Sequence, residues 1–161
     1  MSEPNYEEMC TKLFNAMKGM GTDEKTIISI LANLTNEQIV RNLIPKYQAT
    51  QQRGLLEHLQ SETSGNLKTL FTNMLTPRYE LWARALDEFA DSKKQTLAEA
   101  ELISLVDHQD RFRVLQQYQQ IFNGPIEQLF PKIKNEVVQQ YAKCMLLNEY
   151  EITEEGIAQF S

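Results

Sequence analysis

Apolar residues recur along this chain at helical spacing, and the pattern runs through about 70 residues and then begins again. Tyr6, Met9, Cys10, Leu13 and Met17 mark one face of a first helix. A second, opened by Thr22, Asp23 and Glu24, turns Ile27, Ile30, Leu31 and Leu34 inward. Thr35-Asn36-Glu37-Gln38 reads as a capping box for a third, with Ile39, Leu43, Ile44 and Tyr47 inward. Pro45 lies inside that third helix and should remove a backbone bond or kink it. Leu55, Leu56 and Leu59 make a fourth, short helix; Gly65 through Leu67, Leu70, Phe71, Met74 and Leu75 make a fifth.

The second cycle carries Leu81, Trp82, Ala85, Leu86 and Phe89, then a polar insert, then Leu102, Ile103, Leu105 and Val106. Phe112, Leu115, Tyr118 and Phe122 follow and are expected in the core, as is Trp82. Asn123-Gly124-Pro125 breaks the chain before Ile126, Leu129 and Phe130, and Pro131 ends or bends that short helix. Val137, Val138, Tyr141, Met145 and Leu146 close the series. Ala16-Met17 matches Ala85-Leu86, Ile28-Ser29 matches Ile103-Ser104, and Tyr47 matches Tyr118. No strand pattern competes, so the expected fold is all-α: five helices, duplicated once.

Charge and composition narrow the function. The 161 residues are 42% hydrophobic, enough for a packed core. A net charge of −6 argues against nucleic acid as the partner, and against adhesion to an anionic membrane by electrostatics alone. Residues 1–75 carry 7 basic and 8 acidic side chains, a net −1, and residues 76–161 carry 9 and 14, a net −5. A divalent ion bound to the first half would make it locally cationic. Cys10 and Cys144 lack metal-ligand spacing and read as reduced thiols on apolar faces. The polar N-terminus and the absence of a long apolar run lead to the expectation of a soluble intracellular protein. His58 and His108 have no partners at metal or triad spacing, so no enzyme is expected.

One motif carries chemistry. Lys18-Gly19-Met20-Gly21-Thr22 joins the first two helices, and Glu62 comes 41 positions after Gly21. Glycines reach backbone angles that turn neighbouring carbonyls toward one point, and a remote carboxylate adds charge. That donor set suits a hard cation such as calcium.

Leu13 through Glu24, Ile27-Ile28-Ser29-Ile30-Leu31, Arg53 before Leu55-Leu56, and Ser61-Glu62-Thr63-Ser64-Gly65 together resemble an annexin repeat. The resemblance is strong over residues 5–75 and weak over 77–148, leaving 149–161 as an acidic tail. It implies two five-helix repeats packed as one right-handed superhelical bundle, and calcium-dependent binding to anionic phospholipid. It further implies a main calcium site from the carbonyls of Met17, Gly19 and Gly21 with the Glu62 side chain. Thr22 (carbonyl) and Glu24 (side chain) match a weaker secondary site, and Gly54 replaces an acidic residue of a further minor site. Met20 at the tip of the turn and Lys18 beside it would face the membrane. One carboxylate among neutral carbonyls implies weak affinity without lipid, about 10⁻⁴ to 10⁻³ M.

The second repeat has Asp87 through Thr96 in place of the glycine turn, and Lys132 falls opposite Glu62. No equivalent site is expected there. The expected location is cytoplasmic, at the membrane when calcium rises. Two repeats leave an apolar face to be covered, so a homodimer or a longer multi-repeat parent is expected. The rival reading is a calcium-independent helical scaffold with a cytoskeletal partner.

Overall fold

The computed structural model describes residues 4–19, 21–91 and 97–147, and among them there is no strand. The chain divides into two compact units, Met1–Leu81 and Trp82–Ser161. No helix among the described residues is long and apolar enough to cross a membrane.

In the first unit, α1 (Tyr6–Met17) starts where the Asn5 side chain accepts the Glu8 amide at 3.2 Å, and it buries Cys10, Leu13, Ala16 and Met17. Asp23 caps α2 (Glu24–Ala32) through the Thr26 amide at 3.1 Å. The capping box is present: Thr35 Oγ1 accepts from the Gln38 amide, and the Gln38 side chain accepts from the Thr35 amide. It opens a single turn, α3 (Asn36–Gln38).

A π turn accommodates Pro45. It spans Ile39–Leu43, and only after it does α4 (Ile44–Gln51) continue. In a regular helix the Pro45 ring would meet the Arg41 carbonyl, and its missing N–H would orphan that acceptor. The wider turn lets the Ile44 amide reach back to the Ile39 carbonyl, offsetting the ladder before the proline. The expected kink is thus a change of helical pitch.

The left-handed Gln52 (φ 53°) ends α4. Then α5 (Leu55–Glu62) and α6 (Gly65–Leu75) close the unit around Leu13, Ile27, Leu31, Leu43, Tyr47, Leu55, Leu59 and Phe71. Asn36 fastens the exit: its Nδ2 donates to the Met74 and Thr76 carbonyls at 3.1 and 2.8 Å, and its Oδ1 accepts the Arg78 amide at 2.9 Å. One side chain thereby serves the orphan carbonyls of one helix end and an orphan amide of the next start.

The second unit contains most of α7 (Arg78–Asp91), then α8 (Leu97–Ser104), α9 (His108–Phe122), two 3₁₀ turns (Ile126–Gln128 and Phe130–Lys132) and α10 (Glu136–Leu147). Leu86, Ile103, Val114, Tyr118, Leu129, Phe130 and Leu146 are buried in it. Gln139 Nε2 donates to the carbonyls of Phe130 and Ile133 and so ties the 3₁₀ segment to α10.

Three expectations for this unit fail. Phe112 is 73% exposed because the buried stripe of α9 is Val114 and Tyr118, and Phe112 lies roughly opposite Val114 around the helix. Val137 is 79% exposed, since α10 turns Ala142 and Leu146 inward. Leu105 is 66% exposed, since Ile103 and Val106 take the inward positions at the end of α8.

Candidate functional site

Two helices of the first unit end near one another. Helix α1 stops at Met17, and Gly19 and Gly21 turn the chain with φ of +112° and +98°. No neighbouring atom lies within 4 Å of where a Cβ would sit at either glycine, so backbone angle alone demands glycine here. Helix α5 stops at Glu62, which is half-buried. Thr22 Oγ1 donates to the Glu62 carbonyl at 3.1 Å, which brings the turn against the carboxylate-bearing residue 40 positions on.

The backbone of the turn is selective in what it leaves open. The Asn15 carbonyl takes the Lys18 amide, the Ala16 carbonyl takes the Asp23 amide at 2.8 Å, and the Thr22 carbonyl takes the Glu24 amide at 3.1 Å. Among the described residues no hydrogen bond reaches the carbonyls of Met17, Gly19 or Gly21. Two helix C-termini, each the negative end of its macrodipole, therefore lie side by side, one followed by open carbonyls and the other ending on a carboxylate-bearing residue. Such a set fits a hard cation. Among the described residues no three His, Cys, Asp or Glu side chains gather into a metal cluster, so a soft-metal site has no donors there.

The secondary pair is sparser, because the Thr22 carbonyl already accepts from Glu24, whose side chain is exposed. The Lys18 ammonium stands 5.9 Å over the Phe14 ring centroid. Met20 lies outside the described residues, as does the acidic tail. Gly54 occupies the cap position of α5 and offers no side chain.

Residues that spacing does not reveal hold the α5 end in place. Arg53 Nη2 donates to Ser61 Oγ at 2.9 Å, and Ser61 Oγ donates to the His58 carbonyl at 2.7 Å. His58 itself is buried, with Nδ1 2.7 Å from Tyr47 Oη and its ring edge-on to Phe14 at 5.9 Å. Burial, aided by the Arg53 charge, holds the His58 imidazole below its ordinary range, with Glu62 and Glu57 opposing in part. Burial also pushes the Tyr47 phenol up to about 12. The advance signals are the places of Arg53 and Ser61 in the repeat resemblance and the helical position of His58 on the apolar face of α5, beside Leu55 and Leu59.

The His58 shift has a consequence for stability. A histidine whose folded pKa is depressed leaves the native state unpenalised above its unfolded value of 6.5 and penalised as pH falls below it. Urea midpoints are expected to decline from pH 7.5 to pH 5, and His58→Gln to flatten that decline. An equal slope in the variant would assign the effect to other groups.

In the second unit, the residue matching Met17 is Leu86, five positions before the end of α7. Its carbonyl faces along a continuing helix. Lys132, the residue opposite Glu62, places Nζ 2.7 Å from Asp87 Oδ1. The ingredients that the first unit brings together are therefore absent from this pairing.

Comparison with known proteins falls on the same residues. Residues 9–74 match the family described as Annexin. Annexin B10 of Drosophila melanogaster is 40% identical over 73 residues, which is 45% of this chain and 22% of that protein. Annexin A13 of Mus musculus is 34% identical over 119 residues, 72% of this chain and 37% of that protein. Chicken annexin V, solved in complex with zinc, superposes with a TM-score of 0.79 at 22% identity, covering 99% of this chain and 51% of that one. A calcium-bound annexin (Sm)1 gives 0.79 at 18% identity, covering 95% and 46%. The chain thus spans about half the length of these solved structures and from about a fifth to somewhat over a third of the curated relatives. At these structural identities the superpositions speak for the fold, and the sequence match covers the turn, the α5 end and the core beneath them: the chain belongs to the annexin family.

Proposed function

We propose that this protein binds anionic phospholipid membranes in a calcium-dependent manner, through one low-affinity site in its first repeat, residues 5–75. The carbonyls of Met17, Gly19 and Gly21 and the Glu62 side chain hold the ion, and water or a lipid phosphate oxygen completes the shell. The observation that carries this reading is the Thr22–Glu62 hydrogen bond, which joins a turn with three open carbonyls to an acidic helix end. Lipid contributes by mass action, so the affinity for calcium rises when a phosphate shares the ion. Thr22 and Glu24 form at most a weaker second position, and Lys18 and Met20 meet the headgroups. The protein works in the cytoplasm and moves to the membrane surface when calcium rises. A second copy, or further repeats of a longer parent, covers apolar residues left exposed, Ile28 and Leu70 among them; sedimentation equilibrium reads which, and a monomer would remove the dimer.

Co-sedimentation with phosphatidylserine vesicles tests the main reading. Binding is expected in millimolar calcium, reversed by chelator, and weak to phosphatidylcholine alone. Binding indifferent to chelator would favour the second reading, a calcium-independent scaffold with a cytoskeletal partner. The observation behind that alternative is the second unit, whose Asp87–Lys132 pair stands where a cation site would be.

A further inference from the structure

The Asp87–Lys132 pair is more than the absence of a site. Matching the repeats puts Lys18 opposite Asp87 and Glu62 opposite Lys132, so the signs of both charges are exchanged between units. In the first unit Lys18 and Glu62 form no ion pair with one another; Lys18 stands over Phe14. In the second, Lys132 Nζ and Tyr118 Oη both donate to Asp87 Oδ1, each at 2.7 Å. Three segments meet on that oxygen: α7, α9 and the end of the second 3₁₀ turn. Asp87 is only 17% exposed, and Tyr118 is buried. Its phenol is raised well above the ordinary value, first by burial and then by the bond to Asp87, so it remains a donor.

A carboxylate so enclosed needs a cation. Building on the calcium reading of the first repeat, we propose that Lys132 is a resident cation that fixes the corner of the second unit permanently, in the role a divalent ion takes in the first. Lys132 is then the residue that sets calcium specificity: its ammonium fills the charge requirement of the corner and turns divalent ions away. The continued helix completes the exclusion, because the Leu86 carbonyl is committed to the helical ladder.

Amide hydrogen exchange on the intact 161-residue chain, read separately at the two corners with and without millimolar calcium, tests this. In the natural protein, calcium is expected to protect residues 18–24 and 61–65 and to leave 86–91 and 129–134 unchanged. Lys132→Met should loosen the second corner and lower the melting temperature by roughly 10 °C. Lys132→Arg, which keeps a cation on Asp87 and leaves the Tyr118 bond intact, should recover both, which guards against a variant that merely fails to fold. Lys132→Glu sets two carboxylates face to face, and millimolar calcium, but not potassium at equal ionic strength, should restore its protection. Unchanged exchange in Lys132→Met, or a Lys132→Glu variant indifferent to calcium, overturns the proposal. A first corner that ignores calcium while Lys132→Met still loosens the second would overturn the calcium reading of the first repeat and leave the lock standing.

Discussion

Glu62→Gln is expected to abolish sedimentation with phosphatidylserine vesicles at calcium concentrations where the natural protein is fully bound. Glutamine keeps the length of the side chain and one carbonyl oxygen, and it loses the charge and the bidentate option. In a donor set that otherwise consists of neutral carbonyls, that charge is the main attraction for a divalent ion. The expected loss is tenfold or more in calcium affinity, at least about 1.4 kcal/mol. The substitution is clean for a structural reason. The contact of Glu62 with the glycine turn runs through its backbone carbonyl and Thr22 Oγ1, which the variant retains. The melting temperature without calcium should therefore hold, while its rise with calcium should disappear. A variant that still binds vesicles in a chelator-sensitive way would remove Glu62 from the site.

Local signals are the most legible part of this chain. The Thr35 capping box, the buried face of α1 and the glycine turn each depend on residues within a few positions, and each can be read from spacing. The illegible part depends on contacts between segments. Nothing near Pro45 announces that the ladder widens at Ile39–Leu43, because one π turn leaves Ile39, Leu43 and Tyr47 at four-residue spacings that a short α-helix also allows. Asp87 through Asp91 is a good helical surface, and its polarity makes it resemble a connector; the continuation of α7 is fixed by the burial of Leu86 and Ala90. Phe112 and Val137 invite an inward placement by their size, whereas the phase of the stripe is set by Val114–Tyr118 and Ala142–Leu146. For the site, spacing supplies the turn and the carboxylate. The strut between them, Thr22 Oγ1 to the Glu62 carbonyl, needs a register between the α1–α2 turn and α5 that no periodicity encodes, and the Arg53–Ser61 clamp depends on how the chain enters α5.

The turn can hold its geometry only while the first unit stays folded, and this makes Leu13→Ala the second large effect. Leu13 is fully buried at the centre of α1, among Ile27, Leu31, Leu43 and Leu55. Truncation to alanine in such a place costs about 3–5 kcal/mol. A unit of this size has a total stability of about 4–12 kcal/mol, so the variant is left near its threshold. Calcium cannot make up the difference. At about 10 to 100 times its dissociation constant an ion that binds only the native state adds about 1.4–2.7 kcal/mol. Gly65→Ala provides the contrast, with φ of +56° and no atom within 4 Å of the added methyl. Its cost is backbone strain alone, about 1–2 kcal/mol, which lies within the reach of calcium. Thermal unfolding followed by circular dichroism should show Gly65→Ala regaining the calcium-free natural midpoint in about 10 mM calcium, roughly 10 to 100 times the expected dissociation constant, and Leu13→Ala remaining well below it. Equal recovery of both would mean that Leu13 carries less of the core than its complete burial implies.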